Sequence, residues 1–136
     1  MRAITVAYLL LLVGCSKREQ RLSPSHIETP FYPQVARMAR IPGKVVLLMT
    51  IDAYGHVIDA KATSDDNSHP ILKTDAINNI RCWTFAKPLA APYTQVITYN
   101  YEIDESRPPT SDARTTVSFD LPDRVTIVTN ESVVNP

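Results

Sequence analysis

Alternation of apolar side chains marks three segments of the chain as β-strands. The clearest is 44–52, where one face is wholly apolar and the other mostly so, which predicts a strand with both faces partly covered. Asp52-Ala53-Tyr54-Gly55 is a turn sequence with a late glycine, so 57–64 is expected to return as the second strand of a hairpin. A third strand is predicted over 95–103, with one face formed by Ile97, Tyr99, Tyr101 and Ile103.

Two further segments have the spacing of helices. The first covers 31–40 and follows Thr29, a candidate cap, with Tyr32, Val35, Ala36 and Ala39 on one face. The second follows the polar loop 65–70, in which Asn67 or Ser68 can cap a helix that Pro70 opens. The residues predicted to form its buried face are Leu72, Ala76, Ile80 and Trp83.

The C-terminal quarter has a different pattern. Residues 104–114 form a polar linker that contains Pro108-Pro109, and two short strands are predicted at 115–121 and 124–129. Strands followed by helices in this mixed order predict an α+β fold. A length of 136 residues is enough for one such domain and too short for two ordinary ones.

The N-terminus has the features of an export signal. Arg2 is followed by an apolar run from Ala3 to Val13, which as a helix rises about 16 Å and falls short of a bilayer core of about 30 Å. Leu12-Val13-Gly14-Cys15 resembles the bacterial lipobox, which implies cleavage before Cys15 and lipidation of its sulfur. The predicted divisions are a signal peptide at 1–14 and a lipidated cysteine with a flexible tether at 15–29. The alternative is an ordinary secretory signal with an incidental cysteine.

Charge and composition exclude several classes of function. Lysine plus arginine and aspartate plus glutamate number 14 each, so nucleic acid is not an expected partner. We find no nucleophile elbow, P-loop or zinc-binding His-Glu-x-x-His motif, and the three histidines lack metal-ligand spacing. The sequence therefore predicts no enzymatic activity, no cofactor and no metal site. Cys82 is expected to be a small buried side chain without a disulfide partner.

Five short motifs in order resemble the C-terminal domain of TonB. They are Tyr32-Pro33-x-x-Ala36-Arg37, the hairpin from Gly43-x-Val45 to Gly55-x-Val57, Ser64 before the loop, the segment from His69-Pro70-x-Leu72 to Trp83-x-Phe85, and the third strand at 95–103. The resemblance covers 30–103 and implies two helices packed on a three-stranded antiparallel sheet, in the order α-β-β-α-β. Residues 104–136 would add a linker and an extra C-terminal β-hairpin. Tyr32, Trp83, Phe85, Tyr99 and Tyr101 are expected in the core.

The resemblance also implies a function. In TonB-like domains an extended Ton-box peptide of an outer-membrane receptor adds a strand beside the third strand, so the expected site is the edge formed by Gln95, Val96, Ile97, Thr98, Tyr99 and Asn100. The expected partner is an outer-membrane receptor or another envelope protein, and the resemblance also admits a homodimer. A serine directly after the lipidated cysteine, here Ser16, slightly favours anchoring in the outer membrane over the inner one. In either case the domain is expected to face the periplasm.

The chain departs from the family in having neither a transmembrane helix nor a proline-rich spacer, which leaves energy transduction in doubt. The alternative function is a structural or adaptor lipoprotein of the envelope. The state of the third strand distinguishes the two. A free edge favours peptide capture, and an edge paired with 115–129 favours the adaptor.

Overall fold

The computed structural model describes residues 22–88, 90–112, 114–121 and 123–132. The predicted signal peptide and Cys15 lie outside these residues. The fold is α+β, as predicted. Its elements in chain order are β1 (Pro24–His26), α1 (Gln34–Met38), β2 (Gly43–Ile51), β3 (Val57–Ala62), α2 (Pro70–Ile80), β4 (Thr84–Phe85), β5 (Tyr93–Asp104), β6 (Thr116–Asp120) and β7 (Arg124–Asn130).

The main sheet has five strands in the order β3-β2-β5-β7-β6. Strand β2 pairs antiparallel with both β3 and β5, whereas β7 runs parallel to β5 and antiparallel to β6. The three predicted strands, β3, β2 and β5, form an antiparallel sheet as expected, but the sheet has five strands, because β7 and β6 continue it beyond β5. The C-terminal hairpin was predicted correctly as a hairpin, but it extends the sheet and makes it mixed.

The core lies between one face of this sheet and α2. The alternating buried positions of β2 face Leu72, Ala76 and Ile80 of α2, all of which are fully buried. The other face of the sheet is only half-covered, and Val96 in β5 is 46% exposed. The core residues contributed by the strands of the sheet are Val45, Leu47, Met49, Ile51, Ala60, Ile97, Tyr99, Tyr101, Val125 and Ile127.

The end of the predicted tether belongs to the folded domain. Within 15–29, β1 pairs with β4, and the Ala86 N–H donates to the Ser23 carbonyl at 2.7 Å. Leu22 is only 4% exposed and joins the core. Leu22 and Ile27, two apolar residues in a polar stretch, were the sign that this segment packs, because burying such a side chain stabilises the fold by about 1.5–3 kcal/mol.

Both helices begin at other caps than predicted. Pro33 precedes α1 without a side-chain cap, and the helix is five residues long, not ten. Only Tyr32 and Ala36 of its predicted face are buried, whereas Val35 is 63% exposed. For α2 the cap is His69, whose Nδ1 accepts a hydrogen bond from the Ile71 N–H at 3.2 Å.

Gly55 occupies a position that only glycine fits. Its φ is +89°, and a Cβ there would overlap the carbonyl oxygen of Phe85. The Gly55 carbonyl in turn accepts a hydrogen bond from the Phe85 N–H at 2.8 Å. The first hairpin and the Trp83-x-Phe85 segment are therefore in direct backbone contact, which explains why both motifs occur together.

Candidate functional site

The predicted peptide-binding edge is largely occupied by the chain itself. One side of β5 pairs with β2, and on the other side β7 pairs with it from Thr98↔Arg124 to Asp104↔Asn130. The Thr98 N–H donates to the Asp123 carbonyl at 2.8 Å. Of the two alternatives for Thr98, Tyr99 and Asn100, the structure has the paired one, and a foreign strand could add there only in place of β7, because a strand pairs with only one neighbour on each side.

The first half of the predicted edge lies before the first residue of β5 that pairs with β7. Gln95 lies there, and its Nε2 donates to the Val96 carbonyl and to Asp123 Oδ1, each at 3.1 Å. Ile97 is fully buried, while Val96 points to the open face of the sheet. The six predicted residues thus fall into a segment at 95–97, where β7 has not begun, and a segment at 98–100, where it has.

A buried arginine holds the C-terminal segment against α1. Arg37 is 4% exposed, and its guanidinium donates to carbonyl oxygens of Asn130 at 2.9 Å, Thr110 at 2.8 Å, Glu131 at 3.1 Å and Asp112 at 3.2 Å. None of these acceptors is a carboxylate. A buried cation is tolerated only when its donors find acceptors, so the C-terminal segment provides the environment that Arg37 requires.

Asn130 completes this contact. Its side chain is buried, Oδ1 accepts from the Arg114 N–H at 3.0 Å, and Nδ2 donates to Thr110 Oγ1 at 2.6 Å. The linker predicted at 104–114 is thereby folded back onto the end of β7. Arg37 is part of the motif Tyr32-Pro33-x-x-Ala36-Arg37, but its burial was not predicted from the sequence. The only feature of the sequence that indicated burial was its position next to Ala36.

Trp83 and Phe85 are core residues, as expected, and they connect the domain to its extension. Trp83 is 1% exposed, and its indole N–H donates to the Glu28 carbonyl at 3.1 Å and to Asn79 Oδ1 at 3.0 Å. The ring of Phe119 in β6 lies edge-on to the Trp83 ring, with centroids 5.9 Å apart. The hairpin therefore contacts the domain both at the β5 edge and at the end of α2.

Three tyrosines between the helices and the sheet are also structural. The Tyr99 hydroxyl donates to Asn79 Oδ1 and the Tyr101 hydroxyl to Asp75 Oδ2, each at 2.8 Å, while the Tyr32 hydroxyl donates to the Ile41 carbonyl at 2.6 Å. Desolvation by burial raises the pKa of Tyr32 to about 12 and those of Tyr99 and Tyr101 further. Burial likewise raises the pKa of Asp75. The expectation that these rings form core was correct.

A shallow groove of about 480 Å³ lies between the start of α1 and α2 and is lined by Pro33, Pro70, Ile71, Thr74, Asp75 and Asn78. Its one acidic group, Asp75, accepts the hydrogen bond from the Tyr101 hydroxyl. Among the described residues, no three histidine, cysteine or acidic side chains gather where they could hold a metal ion. Cys82, expected to be buried, is exposed, and its Sγ donates to the Asn78 carbonyl at 3.4 Å.

These features define a small α+β domain with a five-stranded mixed sheet, in which Arg37, Asn130 and Trp83 hold separate segments together by hydrogen bonds. Residues 28–103, more than half of the chain, match the family model of the Gram-negative bacterial TonB protein C-terminal domain. The chain therefore belongs to the TonB C-terminal family. Searches of curated proteins and of solved structures returned no match.

Membership in this family indicates a protein of the bacterial envelope with a role in protein–protein interaction, since TonB C-terminal domains interact with outer-membrane proteins. In the part of the chain that the structure describes, the helices are all too short or too polar to cross a bilayer.

Proposed function

We propose that this protein is an adaptor lipoprotein of the cell envelope, held to its membrane through Cys15, which uses the TonB-family fold without capturing Ton boxes at β5. The observation that supports the proposal is the parallel pairing of β7 with β5 over Thr98–Asp104. The second half of the edge that would accept a foreign strand already carries one from the same chain. No energy transduction and no catalytic step form part of this function.

The energetic comparison favours the resident strand. A captured peptide of five residues gains a handful of hydrogen bonds worth about 0.5–1.5 kcal/mol each, and ordering it offsets part of that gain. Displacing β7 would expose Val125 and Ile127, both fully buried, at about 1.5–3 kcal/mol each. It would also remove the Asn130 acceptors from Arg37. A peptide therefore has to overcome more than it gains.

Peptide capture is the second candidate function. It is favoured by the position at which the pairing of β7 with β5 begins, Thr98. Residues 94–97 of β5 lie before that register, so a short extended segment has backbone to pair with if it enters beside Val96. Such a pairing involves fewer residues than a full Ton box. This candidate predicts weaker binding than a five-residue strand would give, on the order of millimolar.

A reversible lock on the hairpin tests the proposal. Asn100 and Thr126 are partners in the β5–β7 register, and neighbouring strands lie about 4.8 Å apart, which suits a disulfide. The double variant Asn100→Cys with Thr126→Cys is made in a Cys82→Ser background, with Asn100→Cys alone as the matched control. Synthetic Ton-box peptides are titrated into the full chain, reduced and oxidised.

The adaptor proposal expects no saturable binding in either state. Binding in the reduced chain that disappears on oxidation would establish capture through displacement of β7. Binding in both states would establish capture at backbone that β7 does not cover, such as 94–97. Each of these two results overturns the adaptor proposal.

The anchor is tested separately by labelling cells that express the chain with a palmitate analogue. We expect label on the wild-type protein and none on Cys15→Ser, together with loss of that variant from the membrane fraction. An unlabelled wild-type protein that fractionates as a soluble one would exclude the lipid anchor while leaving the role of the domain open to the peptide test.

A further inference from the structure

The two outer strands of the main sheet are protected to different degrees. Edge strand β3 carries Asp59 and Lys61, and its register with β2 shifts at Ile51, which leaves Ile58 as an inserted residue. Charges and bulges of this kind prevent an edge from pairing with another sheet. Edge strand β6 keeps an unbroken register with β7 and has a single charged residue, Asp120, at its end.

The backbone groups that β6 presents outward can be assigned from the turn that follows it. The Asp120 carbonyl accepts a hydrogen bond from the Asp123 N–H at 3.1 Å, which directs Asp120 toward β7. Because successive residues of a strand point their backbone groups to opposite sides, Ser118 and Thr116 also face β7. Val117 and Phe119 therefore direct their N–H and C=O groups away from the sheet.

We propose that β6 pairs antiparallel with β6 of a second copy of this chain, in a register centred on Ser118. This register places Val117 opposite Phe119 of the second copy, and the reverse, so the outward backbone groups of both residues are satisfied in two hydrogen-bonded pairs. The two five-stranded sheets then continue as one across a two-fold axis, as in an isologous dimer.

The side chains of β6 complement one another in this register. Phe119 is 38% exposed, and Val117 of the second copy covers it on the face that already holds Trp83. On the opposite face Asp120, the one charged residue of the strand, lies across from Thr116 of the second copy, so no like charges face each other in this register.

These contacts favour a second copy over an unrelated extended peptide, because Val117 and Phe119 cover each other across the two strands and the register brings no like charges together. The pairing uses only the C-terminal hairpin and does not depend on the proposed anchor or on the occupancy of β5. Failure of the dimer therefore leaves the adaptor proposal intact, and failure of the adaptor proposal leaves the dimer intact.

Disulfide trapping in the full chain tests the register. Two Ser118 residues would form a non-hydrogen-bonded pair with Cα atoms about 4.5 Å apart, within the range of a disulfide. Two Thr116 residues would be separated by four residues along the strands, about 13 Å. Ser118→Cys, Thr116→Cys and, on the other edge, Lys61→Cys are compared in the Cys82→Ser parent, which reports any background from Cys15.

We expect Ser118→Cys to form a disulfide-linked dimer faster than the other two variants by at least about tenfold. Adding Val117→Lys, which places a charge opposite Phe119, should reduce the Ser118→Cys rate to that of the controls while circular dichroism shows a folded chain. Equal rates for the three variants, a dimer that persists with Val117→Lys, or a cross-link from Ser118→Cys to a different protein would overturn the proposal.

Discussion

Arg37 shows how one side chain can connect segments that lie far apart in the chain. Its charge is 4% exposed and is surrounded by carbonyl oxygens that come from positions more than 70 residues later. A buried guanidinium without acceptors costs several kcal/mol, whereas one whose donors are engaged is tolerated. The residue therefore makes the stability of α1 depend on the C-terminal segment.

Replacing Arg37 by glutamine should lower the free energy of unfolding by about 3 kcal/mol, because several carbonyls lose their donor inside the fold. The nearby Arg40→Gln is the control. Its side chain is 64% exposed and lies 3.9 Å from the Glu131 carboxylate, so its loss should cost less than about 0.5 kcal/mol. Urea unfolding of both variants checks this, and equal effects would contradict the role given to Arg37.

Thr129 offers a prediction of opposite sign. Its side chain is fully buried in β7, and its Oγ1 has no hydrogen-bond partner among the described residues. Thr129→Val removes a desolvated hydroxyl at nearly constant shape, so we expect a gain in stability of about 1 kcal/mol. Thr126→Val, on the half-covered face of the same strand, should change stability by less than about 0.5 kcal/mol. A destabilised Thr129→Val would show that the hydroxyl is engaged after all.

Among the elements, the β6–β7 hairpin adds a second contact beyond its pairing with β5. Phe119 lies against Trp83, the only tryptophan in the chain, so the fluorescence of that indole reports the position of β6. The hairpin is thus attached to the sheet by backbone pairing and to the end of α2 by aromatic packing.

Phe119→Leu should change the Trp83 emission and lower stability by about 1 kcal/mol, since an aromatic pair contributes about 0.5–1.5 kcal/mol beyond the area it buries. The control is Tyr54→Leu, at a side chain that is 72% exposed in the first hairpin turn, where neither quantity should change. Unchanged emission in Phe119→Leu would mean that β6 does not rest on Trp83 in solution.

Two-residue alternation located β2, β3, β5 and the hairpin to within a few residues, because side-chain burial on one face is a local property of the sequence. The parallel pairing of β7 with β5 was not predicted, since nothing local to either strand specifies its neighbour. The same applies to Arg37, whose acceptors are all distant in sequence. The predicted starts of the two helices were wrong for a different reason. Pro33 and His69 precede the helices, although Thr29, Asn67 and Ser68 are residue types with a stronger preference for the cap position.

For the whole molecule, three buried phenols should make stability depend on alkaline pH. The unfolded chain releases tyrosine protons near pH 10.0, whereas burial raises the pKa of Tyr32 to about 12 in the folded state and those of Tyr99 and Tyr101 further. The folded state therefore holds protons that the unfolded state loses. The stability from these groups is fully present below pH 10 and is lost as the pH rises toward and beyond 12.

Chemical unfolding measured at a series of pH values between 8 and 12 checks this, with phenolate absorbance followed in parallel. We expect the buried phenols to ionise only as the chain unfolds. Tyr32→Phe should flatten the decline above pH 10. Ionisation of all the phenols in a still folded chain would contradict the burial of this cluster.

Arg37 also bears on the order in which the polypeptide is made. Its acceptors, from Thr110 to Glu131, are synthesised more than 70 residues after Arg37 itself. A product that terminates before Thr110 contains the Arg37 cation without these acceptors, so water has to enter the fold to solvate it. Such truncated products should therefore be degraded by envelope proteases, whereas chains that include Glu131 should accumulate.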